Sequence, residues 1–389
     1  MSESLFVVNK VQSFDYLEQY AEIESEIDVA IKRVLKSGRL VLGQEVSAFE
    51  AEFAAWLSRT GEEGATSVAQ DAFGVGVNSG TDALVVALMA LGVGEGHEVI
   101  TVANTAVPTV SAIAAVGAKA KFCDIDADTC LMDLEKIEAC ITDKTRAIIP
   151  VHLFGNVVDV PKLRSLVAGK NIKIIEDCAQ SHGATLNGVS VGTMGDIGAF
   201  SFYPTKNLGA YGDAGLCLSS DANLAELMRS VRMYGFTDRQ YCVRPGINSR
   251  LDELQAAILR VKLSKLDHYI ERRRAIAGQY LDQLHPSIQV VRPSLGAQHA
   301  YHQFVIKLSN RDAGKQELEH VGISTAIHYP WPLHTMSGFS NLNYVEGDLP
   351  VTEASANQIL SLPIYPEMNE SQLEQVCSAI NQLVDELAG

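Results

Sequence analysis

The sequence predicts an α/β protein: a large domain on a mostly parallel seven-stranded sheet, then a smaller C-terminal α+β domain. Three observations carry that prediction. Between residues 73 and 219, short apolar β-branched runs alternate with helical patterns, the signature of βαβ units. From Leu251 the pattern changes to a long charged helical run, followed by a shorter mixed region. The length of 389 residues, with 47% hydrophobic and 20% charged residues, suits a folded chain of two or three domains with a large core.

Taken along the chain, residues 25–57 read as an amphipathic helix, a turn at Ser37-Gly38-Arg39, and a second helix from about Val46 to Leu57. The polar segment Thr60 to Asp71 reads as a loop. Seven strands follow: Phe73–Val77, Glu98–Val102, Lys119–Cys123, Ala147–Val151, Ile172–Glu176, Ile197–Phe202 and Gly215–Ser219. Helical patterns fill Thr81–Leu91, Val107–Val116, Leu134–Ala139, Val160–Ala168 and Asn223–Met233. Beyond Leu251, one helix runs to about Leu284, strands fall near Phe304–Leu308 and Thr325–His328, and a helix closes the chain at about Ser371 to Leu387. The expected domains are residues 1–250 and 251–389.

Charge and cysteine usage exclude several classes. The net charge of −16 argues against nucleic acid, because neutralising phosphates takes clustered Lys and Arg. The one dense basic run, Arg272-Arg273-Arg274, reads as a solvated helix face. Seven cysteines without a C-x-x-C suggest neither a zinc site nor a dithiol motif, and no metal is expected. His152 and His182 likewise lack metal-ligand spacing. The uncharged stretch Val99 to Ala118 is long enough to raise the membrane question, but Asn104, Pro108 and Gly117 interrupt it, and strand–turn–helix is the better reading. No apolar signal core precedes Tyr20, so a cytoplasmic enzyme without membrane contact is expected.

Three segments carry candidate chemistry, each at a strand end or helix start. Asn78-Ser79-Gly80-Thr81 is a small-residue turn that can aim backbone N–H groups and a helix dipole at an anion, or simply cap the helix. Ile174-Ile175-Glu176-Asp177 is an apolar strand ending in two carboxylates, suited to capping the next helix or pairing with a cation in the cleft. Phe200 to Asn207 is a strand running into a loop that presents Lys206, either a surface lysine or a desolvated Schiff-base lysine. Together they supply a phosphate cradle, a carboxylate for a pyridinium nitrogen and an amine for a carbonyl, which are the requirements of pyridoxal 5'-phosphate.

In that order, the motifs resemble those of the DegT/DnrJ/EryC1/StrS sugar aminotransferases, type I fold enzymes acting on nucleotide-linked keto sugars. Ser37-Gly38-Arg39 through Gly43, Phe49-Glu50, Asn78 to Leu84, and Glu176 to Gly183 carry the resemblance. So do Gly195-Asp196-Ile197, the run Phe200 to Gly209, Gly212-Asp213, and Asn248 to Ala257. The resemblance implies that Lys206 holds the cofactor and moves the proton, while Asp177 pairs with the pyridinium nitrogen. Gln180 lies beside the ring, and Gly80, Thr81 and Ser201 bind the phosphate. Asn248 is implied to reach the cofactor phosphate of a neighbouring subunit, making a homodimer with shared active sites.

Two departures from the family pattern stand out. Ala106 occupies a position where many relatives stack an aromatic residue on the ring, a loss of roughly 0.5–1.5 kcal/mol of stacking. The 60–71 loop is longer than usual. His328 and Tyr329, in the segment His328 to His334, are expected to contact the sugar nucleotide, although its two prolines also suit a rigid turn. The resemblance implies amino transfer from an amino acid, glutamate first, through pyridoxamine phosphate, to a dTDP-linked 3-keto-6-deoxyhexose. A 4-keto sugar nucleotide is the alternative. A sugar dehydratase of this fold would carry histidine in place of Lys206, and a non-catalytic regulatory protein would have an eroded site.

Overall fold

The computed structural model describes residues 10–59, 72–238 and 241–388. The expected loop at 60–71 lies outside the described residues. Two N-terminal helices come first: α1 (Tyr16–Ser37), capped by Asp15, whose carboxylate accepts from Leu17 N and Glu18 N at 3.0 and 3.2 Å, and α2 (Gln44–Leu57). The turn between them forms at Gly38, in the left-handed region at φ 69°.

The strands then follow as β1 (Phe73–Val77), β2 (Glu98–Val102), β3 (Lys119–Cys123), β4 (Thr145–Ile148), β5 (Lys173–Asp177), the short pair β6 (Thr185–Leu186) and β7 (Val189–Ser190), β8 (Ile197–Ser201) and β9 (Gly215–Ser219). Seven of them make one sheet in the order β1-β9-β8-β5-β4-β2-β3. The run β8-β5-β4-β2-β3 is parallel, while β9 is antiparallel to both its neighbours. The α/β fold with a seven-stranded, mostly parallel sheet is therefore as expected. Its apolar strands are buried on both faces because helices cover both, as Val99-Ile100-Thr101-Val102 illustrates.

Crossover helices α3 (Gly80–Ala90), α4 (Val107–Ala115), α5 (Ile137–Cys140), α6 (Val160–Leu166) and α7 (Ala222–Val231) connect or flank these strands. Stretch 99–118 divides into β2 and α4, and among the described residues no helix is long and apolar enough to cross a membrane. All seven cysteines are free.

Two expectations change in the second half. The single helix predicted from Leu251 is two, α8 (Glu253–Leu263) and α9 (Leu266–Gln283). No proline or glycine breaks it. Ser264 Oγ bonds back to the Val261 carbonyl at 2.7 Å, and the halves pack on different partners. Ile258 of α8 packs with Ile23 and Ile27 of α1, whereas Ile276 and Tyr280 of α9 join the C-terminal core.

The second correction concerns Thr325–His328, which is not a strand and contributes only an isolated bridge, Ala326 with Ser361. The C-terminal sheet is β10 (Gln289–Val290), β12 (Phe304–Lys307) and β13 (Ile359–Leu362), while β11 (Ala297–Gln298) pairs with β6. Ile359-Leu360-Ser361-Leu362 is buried throughout and takes the ladder beside β12, leaving 325–328 to turn towards the large sheet. Helices α10 (Arg311–His320), α11 (Pro350–Gln358) and α12 (Glu370–Ala388) complete this region, and Val11 near the start of the chain joins its core.

Candidate active site

The carboxyl ends of the large sheet's parallel strands open on one cavity of about 480 Å³, the place where open α/β sheets bind ligands. β1 ends at Val77, and Ser79 caps α3 by accepting a hydrogen bond from Asp82 N at 3.1 Å. The cap leaves Gly80 and Thr81 facing the cavity at the positive end of the helix. Gly80 cannot be replaced there. A Cβ would lie 2.4 Å from Ser201 Cβ, so glycine is what lets the helix start meet the end of β8. Helix N-terminus, Thr81 and Ser201 thus converge where an anion can bind.

Asp177, at the end of β5, is buried, and among the described residues it forms no ion pair. Its oxygens accept from Thr109 Oγ1 at 2.9 Å and Ala179 N at 3.2 Å. Burial pushes its pKa up, against the opposing pull of these two donors and of Lys206 and His152. A buried carboxylate with spare lone pairs beside a cavity fits a protonated ring nitrogen. Neighbouring Glu176 points to the other face of the strand. It braces the fold, accepting from Gly192, Met194 and Gly195 N–H groups and from His152. His152 Nδ1 accepts from Val158 N at 3.0 Å, so Nε2 carries the proton donated to Glu176. Glu176, His152 and Cys178 lie close together and buried, with Glu176 engaged by four donors that brace this part of the fold.

Lys206 enters the same cavity from the loop after β8. Burial brings its amine down to about 8, although the Asp177 charge opposes the shift. Gln180 accepts from Phe154 N at 2.7 Å and donates to the Tyr329 hydroxyl at 3.0 Å, tying the segment 328–333 to the cavity wall. His328 bonds Ser361 Oγ at 2.9 Å, and burial, followed by the Lys206 charge, lowers its imidazole to about 4. It is neutral at pH 7. Ala106 lines the wall at the N-cap of α4.

Eight of the nine expected residues therefore share one cavity. Asn248 does not. It is exposed and bridges Met233, next to Ser249, whose hydroxyl accepts from Asn78 N at 3.2 Å. Sequence reasoning missed Thr109 and His302, which also line the cavity. A threonine in the first turn of a helix is ordinary, so nothing in the sequence singled out Thr109. Nothing local marks His302, which is brought in by the C-terminal region.

An anion cradle, a buried carboxylate and a lowered lysine amine in one cavity define a pyridoxal phosphate-dependent enzyme of the type I fold. The chain belongs to the DegT/DnrJ/EryC1/StrS aminotransferase family, whose model matches residues 21–381. It is an aminotransferase, and its cofactor is pyridoxal 5'-phosphate. Among similar proteins, the dTDP-3-amino-3,4,6-trideoxy-alpha-D-glucose transaminase of Micromonospora megalomicea subsp. nigra is 43% identical over 378 residues, covering 95% of this chain and 98% of that one. A "pleiotropic regulatory protein" of Geobacillus stearothermophilus is 41% identical, covering 95% and 97%. The crystal structure of S. venezuelae DesV with a ketimine intermediate superposes with a TM-score of 0.91 at 40% identity, covering 97% of this chain and 99% of DesV.

Proposed function

We propose that the protein transfers the amino group of an amino acid, glutamate first, to the keto group of a nucleotide-linked deoxy sugar, with a dTDP-3-keto-6-deoxyhexose as the foremost acceptor. The observation that carries the catalytic half is the convergence of Lys206 and Asp177 on one cavity beside the Gly80–Ser201 cradle. The acceptor reading rests on the 3-amino sugar named for the M. megalomicea relative.

Bound pyridoxal phosphate supplies the electron sink that weakens the donor's Cα–H bond. Lys206 Nζ, brought down to about 8 by burial, would move a proton from the donor Cα to the cofactor carbon in the first half-reaction, and from that carbon to the sugar carbon that receives nitrogen in the second. Asp177 holds the ring nitrogen protonated. Gly80 and Thr81 N–H groups with the Ser201 hydroxyl would hold the phosphate, and Gln180, on the same cavity, would lie beside the ring. The neutral His328 imidazole and the Tyr329 hydroxyl, held at about 12 and above ordinary tyrosine by burial, orient the sugar nucleotide through hydrogen bonds. The small Ala106 leaves that ring face open to a partner other than an aromatic of its own segment. Asn248 reaches the phosphate of the partner's cofactor in a homodimer.

Visible absorption of the cofactor-loaded protein, before and after glutamate, tests the first half-reaction. A visible band that glutamate bleaches supports it, and Lys206→Ala should lose transamination by a factor of about 10² to 10⁴ or more. Restoring the band with a panel of 3-keto and 4-keto sugar nucleotides then separates the two acceptor readings. A loaded protein whose spectrum ignores every amino acid donor sinks the proposal and moves a regulatory role to the front.

A further inference from the structure

The mechanism above leaves unused a pair of buried hydroxyls that stand behind Asp177. Thr105 and Thr109 are 2% and 1% exposed, and Asp177 is 5% exposed. Thr109 Oγ1 lies 2.9 Å from Asp177 Oδ2 and 2.9 Å from Thr105 Oγ1. A hydroxyl has one proton to give. With an ionised Asp177 accepting it from Thr109, Thr105 must donate to Thr109, and the chain runs Thr105 to Thr109 to Asp177 in one direction. Each bond in such a chain polarises the next.

The arrangement follows from the local fold. Thr109 sits in the first turn of α4, its N–H on the Ala106 carbonyl at 3.2 Å, and Thr105, just before the Ala106 N-cap, meets it across the helix start. This helix start meets the end of β5, while Ala106 on the same turn faces the cavity. Among the described residues, the other carboxylate oxygen has one donor, the Ala179 N–H, at 3.2 Å. Two oxygens with one protein donor each keep lone pairs for a third partner in the cavity.

We propose that Thr105 and Thr109 are positioning residues that fix the Asp177 carboxylate and keep it the weaker base, so that the proton between it and the cofactor stays on the ring nitrogen. The proposal rests on the reading that Asp177 meets that nitrogen. Without the Thr109 hydroxyl, Asp177 Oδ2 loses a donor in a buried site, where a carboxylate's proton affinity is already high. The shared proton then moves towards the carboxylate, and the ring loses part of its electron-withdrawing charge.

The test uses the full chain loaded with cofactor labelled with ¹⁵N at the pyridine nitrogen, at one fixed pH. The wild-type nitrogen should show the shift of a protonated ring. Thr109→Val should move it towards the unprotonated value and weaken cofactor binding about tenfold, the consequence of losing one hydrogen bond to a charged group. Thr109→Ser, which keeps the hydroxyl, should restore both. Thr105→Val should move the shift the same way by less, and it alone decides the matter should Thr109→Val not fold. A nitrogen shift in these valine variants identical to wild type overturns the proposal. An unprotonated nitrogen in the wild type instead overturns the Asp177 reading beneath it.

Discussion

Lysine amines near 8 and near the ordinary 10.5 differ in what they do at neutral pH. Protonated Lys206 has no lone pair to offer a carbonyl, so the rate at which the stripped protein recaptures pyridoxal phosphate should rise about tenfold per pH unit up to about 8 and level off above it. An ordinary lysine would keep gaining beyond pH 10. Because the Asp177 charge raises the Lys206 pKa, Asp177→Asn should shift the plateau to lower pH. Stopped-flow absorbance across pH 6 to 10 reads both, and a rate still climbing at pH 10 rejects the desolvated amine. Lys206, Asp177 and Gly80 were legible in sequence because each sits at a strand end or helix start that short motifs mark. Thr109 was not, since a threonine in a first helical turn is ordinary, and its partner lies 68 residues away.

Secondary-structure elements here are often finished by residues from distant ones. α2 begins at Gly43, which has no side chain to cap it; Glu253, at the start of α8, does so instead. Its buried carboxylate accepts from Gly43, Glu45 and Val46 N–H groups at 2.7, 3.0 and 2.9 Å. A Cβ on Gly43 would come within 2.8 Å of that carboxylate. Glu253→Ala should therefore cost about 3 kcal/mol, with Glu253→Gln recovering part of it through its one acceptor oxygen. Urea unfolding of the two variants checks this, and equal midpoints with wild type would refute the cap. Sequence patterns located both helices and matched both motifs, but not their contact. The same limit explains the corrections at Ser264 and at 325–328. Apolar periodicity reports which residues seek burial, whereas packing chooses where a helix breaks and which strand takes the ladder.

Across the whole molecule, exposed apolar side chains gather near Asn248, with Tyr234 41%, Tyr241 68% and Val243 45% exposed. Such a patch suits a second copy of the chain, and the shared-site proposal makes a sharp demand of it. Lys206→Ala and Asn248→Asp proteins, each inactive or nearly so, should regain about a quarter of wild-type activity once their subunits are exchanged, because half the dimers then hold one intact site. No recovery after verified exchange rejects a site built from two subunits. The strand-and-helix rhythm, the three motifs that meet at the cavity and the family follow from local patterns: backbone conformation and strand-end chemistry are written within a few consecutive residues. The cavity's His302, the Gln180–Tyr329 tie, the hydroxyls behind Asp177 and the lowered Lys206 amine belong to tertiary structure alone. Each depends on burial and on contacts between segments far apart in the chain, and neither quantity exists until the chain has folded.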